Sequence, residues 1–389
     1  MKQDKSIYFP RETTADMTDL VGLKAVNLAG MMALKLPVPP NFTVSTKCSA
    51  DFADGRRPKS CGFMDEVRAA VAVIDHQAGR AFGDRRNPHL FAVRVGASVP
   101  STHLMTAILN VGLNDETVEK LIELTGNPRF VYDAYGRLIA TLGSAAFSNA
   151  VTRLRLSDFK HDFDEVAASL GCTRSSEMPI EALRQMCSIY KARIRAESGH
   201  EFPQHAYVQL QLAIEAGFRS WHGFQAVSQR RLANVSDTPG AAVTVQSMSF
   251  GNMGDDSGVG VCVASPWGGA DDTIYGEFVP SAQHLEAADF GAVSIPLAYI
   301  DRDDPKIAGQ IRRVRYTLAK SSEKARLFEF VVERGSLTVL RSRDSELTAP
   351  TAILSDYLSC LKAKQVGEFT MSPGGRFSGA TQGNILAAA

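Results

Sequence analysis

The residues best suited to chemistry lie in one short run, Phe250-Gly-Asn-Met-Gly-Asp-Asp-Ser-Gly258. Its glycines let backbone N–H groups approach an anion closely, and its adjacent acids can reach a metal or cap a turn. That chemistry is the binding of a charged ligand. The composition equally suits a glycine turn between two strands, since β-patterned runs flank it at residues 241–249 and 259–264. Other motifs fall away. His200-Glu-Phe-Pro-Gln-His205 has one residue too many for a helical zinc pair, and Pro203 interrupts the helix that would align it. There is no Gly-Lys dipeptide, which excludes a P-loop, and no Gly-x-Ser-x-Gly elbow.

The elements that must position such a loop follow from the pattern. A helix-like run begins at Leu23, and Leu36-Pro-Val-Pro-Pro then feeds a β-branched strand, Phe42-Thr-Val. A second strand, Leu90-Phe-Ala-Val-Arg-Val, runs into an irregular segment and then residues 104–113. Residues 115–200 read as helical, with start signals at Asp115 and Asn127-Pro-Arg, and one long helix is predicted over 206–232. From Ala241 onward the pattern is β-rich. Residues 328–343 alternate with period two on both sides of a glycine turn, which predicts a hairpin. Residues 371–389 are rich in Gly, Ser and Ala.

Bulk composition narrows the class. The 389 residues exceed one small domain, and 44% hydrophobic with 22% charged residues can bury a substantial core. Lys plus Arg equals Asp plus Glu, at 42 each, so no global field points to nucleic acid or to a membrane surface. No apolar run approaches the ~20 residues that span a bilayer, and the first residues lack a signal-peptide core. Cys48, Cys61, Cys172, Cys187, Cys262 and Cys360 form no Cys-x-x-Cys pair, and they read as reduced thiols of a cytoplasmic protein.

Taken together, several segments resemble the N-terminal nucleotide-binding domain of the pyruvate phosphate dikinase and phosphoenolpyruvate synthase family. They are Lys24-Ala-Val-Asn-Leu-Ala, Leu36-Pro-Val-Pro-Pro, Leu109-Asn-Val-Gly-Leu-Asn-Asp115, Arg129-Phe-Val-Tyr-Asp-Ala-Tyr, Phe218-Arg-Ser-Trp, the run from Val245 to Ser257, and Tyr275-Gly-Glu-Phe278. The likeness covers residues 18–350 and implies an α+β, ATP-grasp fold: two lobes around a nucleotide cleft, with a helical insertion. The implied division is 1–114 with 201–240 for the first lobe, 115–200 for the insertion, 241–350 for the second lobe, and 351–389 for a C-terminal helix and loose tail. The resemblance implies ATP and Mg²⁺ as ligands. Lys24 and Arg94 match phosphate-binding residues, Met105 an adenine-pocket residue and Gln246 a nucleotide contact. Glu277 falls in the matched Tyr-Gly-Glu-Phe segment, and Glu329 and Arg343 match an acid and an arginine that close the site around metal and phosphates. Read alone, Lys24 is also compatible with a helix-surface charge, and Glu329 with Arg343 is compatible with a cross-strand ion pair.

Departures from the family pattern bear on the reaction. Ser98 stands for a second arginine, His103 for a glycine, Val259 for a threonine, Leu285 for a glutamate and Leu327 for an acid. Arg341 occupies the position of a metal-binding amide, and a guanidinium has no acceptor with which to ligate Mg²⁺. Arg341 could instead pair with a phosphate directly or with Glu329; it is therefore read as a catalytic cation beside Arg94 and Arg343, and a second metal is in doubt. No Thr-Ser-His-Ala segment follows Met371-Ser-Pro-Gly-Gly, so the chain is not expected to make phosphoenolpyruvate from pyruvate unaided. The expected activity is phosphoryl transfer from ATP to a separate small-molecule or protein acceptor. The alternative is an inactive nucleotide sensor or scaffold. His103 is an outside candidate for base or acceptor, against its plainer role as a loop residue.

Overall fold

A computed structural model describes residues 5–49, 62–98, 107–148, 152, 154–173, 175, 177–232, 234, 236, 240–254, 256–265, 274–283 and 294–369. The chain opens with a short strand β1 (Ile7–Tyr8), helix α1 (Thr18–Ala33) and strand β2 (Asn41–Val44). Helix α2 (Phe63–Ala78) leads to the two-residue strands β3 (Ala81–Phe82) and β4 (Pro88–His89), then to β5 (Phe91–Ala97) and β6 (Ile108–Val111). The first long sheet adds β7 (Ala241–Ser247) and has the order β1-β2-β7-β5-β6, antiparallel throughout.

Between β6 and β7 lie only helices among the described residues: α3 (Asp115–Thr125), α4 (Pro128–Phe147), α5 (Leu156–Ser169), α6 (Ile180–Ser198), α7 (Ala206–His222) and α8 (Phe224–Leu232). Their starts are chemically explicit. The Asn114 side chain accepts from the Glu116 and Thr117 amides, and Asn127 caps α4 with Pro128 in its first turn. The helix predicted over 206–232 is broken at Gly223, whose backbone is extended at φ −64°, ψ 147°. Helices α3 to α7 share one core with the apolar face of the first sheet, which carries Phe42, Val44, Phe91, Val93, Val243 and Val245.

The second sheet follows the order β10-β9-β8-β11-β12, again antiparallel. Its strands are β8 (Gly258–Ala264), β9 (Gly276–Pro280), β10 (Ile295–Pro296), β11 (Ala325–Glu333) and β12 (Ser336–Ser345). Helices α9 (Leu297–Asp303) and α10 (Pro305–Lys320) precede the predicted hairpin, and α11 (Pro350–Phe369) follows it. The hairpin forms as the alternation requires. Its turn residues Arg334 and Gly335 both have positive φ, 48° and 71°, which matches the right-handed twist of the strands. The molecule is thus an α+β protein with two antiparallel sheets. Among the described residues no helix is long and apolar enough to cross a membrane.

The run at 250–258 is not a hairpin. Its flanking strands belong to different sheets, so it is the crossover between them. Phe250 is buried and meets Phe130 edge-on at 5.1 Å, while its amide donates to Glu333 at 2.9 Å. The Asn127 amide donates to the Met253 carbonyl at 3.0 Å, and the Arg334 amide to the Ser257 hydroxyl at 3.1 Å. Asp255 lies outside the described residues.

One face of the second sheet packs on α1 and α10 through Leu28, Met31, Ile307, Ile311, Phe328 and Phe330. Gly260 leaves room there for a ring, because a Cβ at this position would fall 2.3 Å from Phe330. A Gly260→Ala substitution is therefore expected to destabilise the chain by about 1–3 kcal/mol. Urea unfolding checks this: the midpoint should fall at unchanged slope.

Candidate functional site

Helix α1 is not regular. Gly22 interrupts it at φ 79°, ψ 156°, and a Cβ there would lie 3.2 Å from the Gly96 carbonyl group on β5. A side chain at Gly22 would be strained twice over, by conformation and by contact. The close approach seats the half-buried Lys24 on β5, since a Cβ on Gly96 would lie 3.2 Å from the Lys24 Cβ. Gly96 and the half-buried Arg94 share one face of that strand by alternation.

The same face continues across the sheet. Arg94 stands opposite Thr244, Thr244 opposite Thr43, and Gln246 opposite both Ala92 and Asn41. The Thr43 and Thr244 hydroxyls are 2.9 Å apart, and Asn41 donates to the Pro39 carbonyl at 2.9 Å. Gln246 differs from these neighbours. It is 1% exposed, and neither its amide nitrogen nor its amide oxygen has a hydrogen-bond partner among the described residues. A buried amide left unpaired costs about 1–3 kcal/mol, so the position is built at the expense of stability.

A second group lies on the other sheet. Glu277, Val261, Glu329 and Arg341 are successive Cα partners across β9, β8, β11 and β12, and so form one row. A bulge between Glu329 and Phe330 sets this row, because Phe330 pairs with Val339 while Glu329 pairs with Arg341, past Leu340. The extra residue re-aims the guanidinium onto the carboxylate. Glu329 Oε1 accepts from Arg341 Nη2 and from the Tyr357 hydroxyl of α11. Burial opposes the charge on Arg341, but Glu329 and Tyr357 outweigh it and hold the guanidinium pKa above its ordinary value. The cross-strand ion pair therefore exists with Arg341 and not with Arg343. Arg343 is exposed, with its guanidinium 4.8 Å from the centre of the Tyr357 ring.

Helix α1 joins the two groups. One turn beyond Lys24, the Asn27 amide donates at 3.1 Å to the carbonyl of Ser342, the residue between Arg341 and Arg343. Met105 and His103 lie outside the described residues, as does Leu285. Tyr357 escaped the sequence reading, because an α-helical tyrosine in a weakly patterned segment carries no signal of the carboxylate it will meet.

The donor set does not suit a pair of divalent cations. One oxygen of Glu329 already accepts two hydrogen bonds, and Glu277 is two strands away, about 10 Å at ordinary strand spacing. No cluster of three or more candidate metal ligands occurs among the described residues.

No family model matches the chain. Individual proteins do. The pyruvate, phosphate dikinase of Clostridium symbiosum is 33% identical over 350 residues, or 90% of this chain and 40% of that protein. That of Entamoeba histolytica is 32% identical over 343 residues, covering 86% and 38% respectively. Pyruvate, phosphate dikinase 2 of Oryza sativa is 36% identical over 267 residues, covering 69% and 29%. The chain is a divergent copy of the N-terminal domain of the pyruvate, phosphate dikinases. It spans two fifths or less of the length of these dikinases. Of the residues matched to the family, Arg94 and Gln246 lie on the first sheet, Glu277, Glu329 and Arg343 on the second, and Lys24 on helix α1, with the glycine run connecting the two sheets.

Gln246 offers a direct measurement. Replacing it with leucine removes the unpaired amide, so Gln246→Leu should stabilise the ligand-free protein, by about 1 kcal/mol or more. Denaturant unfolding reads the change. A loss of stability would show that the amide is satisfied within the fold and is not held for a ligand.

Proposed function

We propose that the chain binds ATP on the polar face of the first sheet and transfers its terminal phosphoryl group to a separate small-molecule or protein acceptor. The buried, unpaired carboxamide of Gln246 carries this reading, because a carboxamide presents the donor and acceptor pair that adenine takes at N6 and N7. Lys24 and Arg94, on the same face, are the phosphate cations, with Arg343 completing the clamp and Met105 the adenine pocket. Phosphoryl transfer needs positioning and charge neutralisation more than covalent help from the protein, and such a clamp supplies both. Relatedness to the dikinases supports nucleotide binding.

Arg341 takes over as a fixed positive centre in the second sheet. Its charge is permanent and its place is set by Glu329 and Tyr357. Glu329 is the carboxylate of this row that would hold a single Mg²⁺, whose charge would help neutralise the phosphates. Glu277 lies farther along the same row. The alternative function, a catalytically silent nucleotide sensor, is favoured by one observation, the engagement of Glu329 by Arg341 and Tyr357.

Titration of the chain with ATP by calorimetry, in EDTA and in Mg²⁺, tests binding, and ³¹P spectra in the presence of candidate acceptors test turnover. Binding should survive EDTA, and Lys24→Ala should weaken it by about 1.5–3 kcal/mol. Arg341→Gln exchanges the fixed cation for an amide acceptor, so its ATP binding should become Mg²⁺-dependent. Binding without turnover for any acceptor would favour the sensor. No binding of ATP in either buffer would sink both readings.

A further inference from the structure

We propose that Asp75, His89 and Ser247 form a second site, a serine nucleophile that hydrolyses short-chain carboxylic esters. The three residues come from the last turn of α2, the end of β4 and the end of β7. His89 Nδ1 lies 2.6 Å from Asp75 Oδ1, and His89 Nε2 lies 2.8 Å from Ser247 Oγ. The other Asp75 oxygen accepts the Phe82 amide at 2.9 Å, which fixes the carboxylate. The imidazole packs edge-on against Phe91 at 4.6 Å, and is 3% exposed. With Nδ1–H donated to the carboxylate, Nε2 is left to accept the serine proton. This is the order of roles by which a hydroxyl is activated for acyl transfer.

Both reacting groups border open space. His89 and Ser247 line a cleft of about 300 Å³, whose other walls include Pro40, Arg80, Met248 and Glu333. That volume suits a small ligand. Arg80 is exposed at this cleft and has no ion-pair or hydrogen-bond partner for its guanidinium among the described residues, so it is available to a substrate's carbonyl or carboxylate oxygen. Ser247 follows Gln246 directly, but strand alternation turns its side chain to the opposite face, so the cleft is distinct from the nucleotide face.

The chemistry balances with water as the only co-reactant. Ser247 Oγ attacks the ester carbonyl carbon while its proton passes to His89 Nε2. The bond from that carbon to the alcohol oxygen breaks, and the alcohol leaves with the proton from Nε2. Water then attacks the acyl-serine while its proton passes to His89 Nε2, the carbon–Oγ bond breaks as Oγ takes that proton from Nε2, and the carboxylic acid departs with Ser247 restored. Ser247 and His89 are the catalytic residues, and Asp75 is a positioning residue.

The test uses the full chain with p-nitrophenyl acetate as substrate and a fluorophosphonate as covalent probe. The expected result is nitrophenolate release, one probe per chain, and the adduct mapped to Ser247 by peptide mass. Ser247→Ala and His89→Gln should each reduce turnover by on the order of a hundredfold or more, with a circular-dichroism melt like that of the parent. Absence of a Ser247 adduct in the parent chain overturns the proposal even if the variants fail to fold. Equal turnover by the parent and Ser247→Ala overturns it as well.

Discussion

Two glycines facing each other, Gly22 and Gly96, let one helix serve both sheets. Where their backbones approach, α1 leaves helical geometry and resumes it in a new direction. The segment after the kink lies on β5 at Lys24, donates to β12 from Asn27, and drives Leu28 and Met31 into the second core. A side chain at either glycine would push the helix off β5. The spacing of Lys24 from Arg94, and of α1 from the arginine strand, rests on this contact.

The second constraint is electrostatic. Arg341 and Glu329 are held together in a partly buried setting where each would be costly alone, and the tyrosine hydroxyl adds to the bond. A partly buried carboxylate can ligate a cation. Here the cation is already part of the chain. The substitution that looks most damaging in sequence is, in structure, an internal counter-ion placed by a one-residue bulge.

What the sequence disclosed depended on how local each signal was. The hairpin of β11 and β12 was legible because alternation and a glycine turn are short-range properties, and the helical starts at Asp115 and Asn127 were legible for the same reason. The run at 250–258 does connect two strands, but alternation marks a strand without naming its partner, so nothing local showed that β7 and β8 pair in different sheets. Both Arg341 and Arg343 were open as partners of Glu329 in the sequence, because the bulge that selects Arg341 leaves no mark on the pattern. The triad was invisible, since His89 and Ser247 are 158 residues apart and each is unremarkable among its neighbours.

Strand β7 carries Gln246 and Ser247 back to back, and this adjacency limits how the chain can change. A side-chain period of two means that inserting or deleting one residue upstream within the strand would exchange their faces. The amide would then turn toward the cleft beside His89, and the hydroxyl toward Arg94. Point substitutions can tune either face separately, but the reading frame of this one strand is common property, and a single-residue slip would erase both chemistries together.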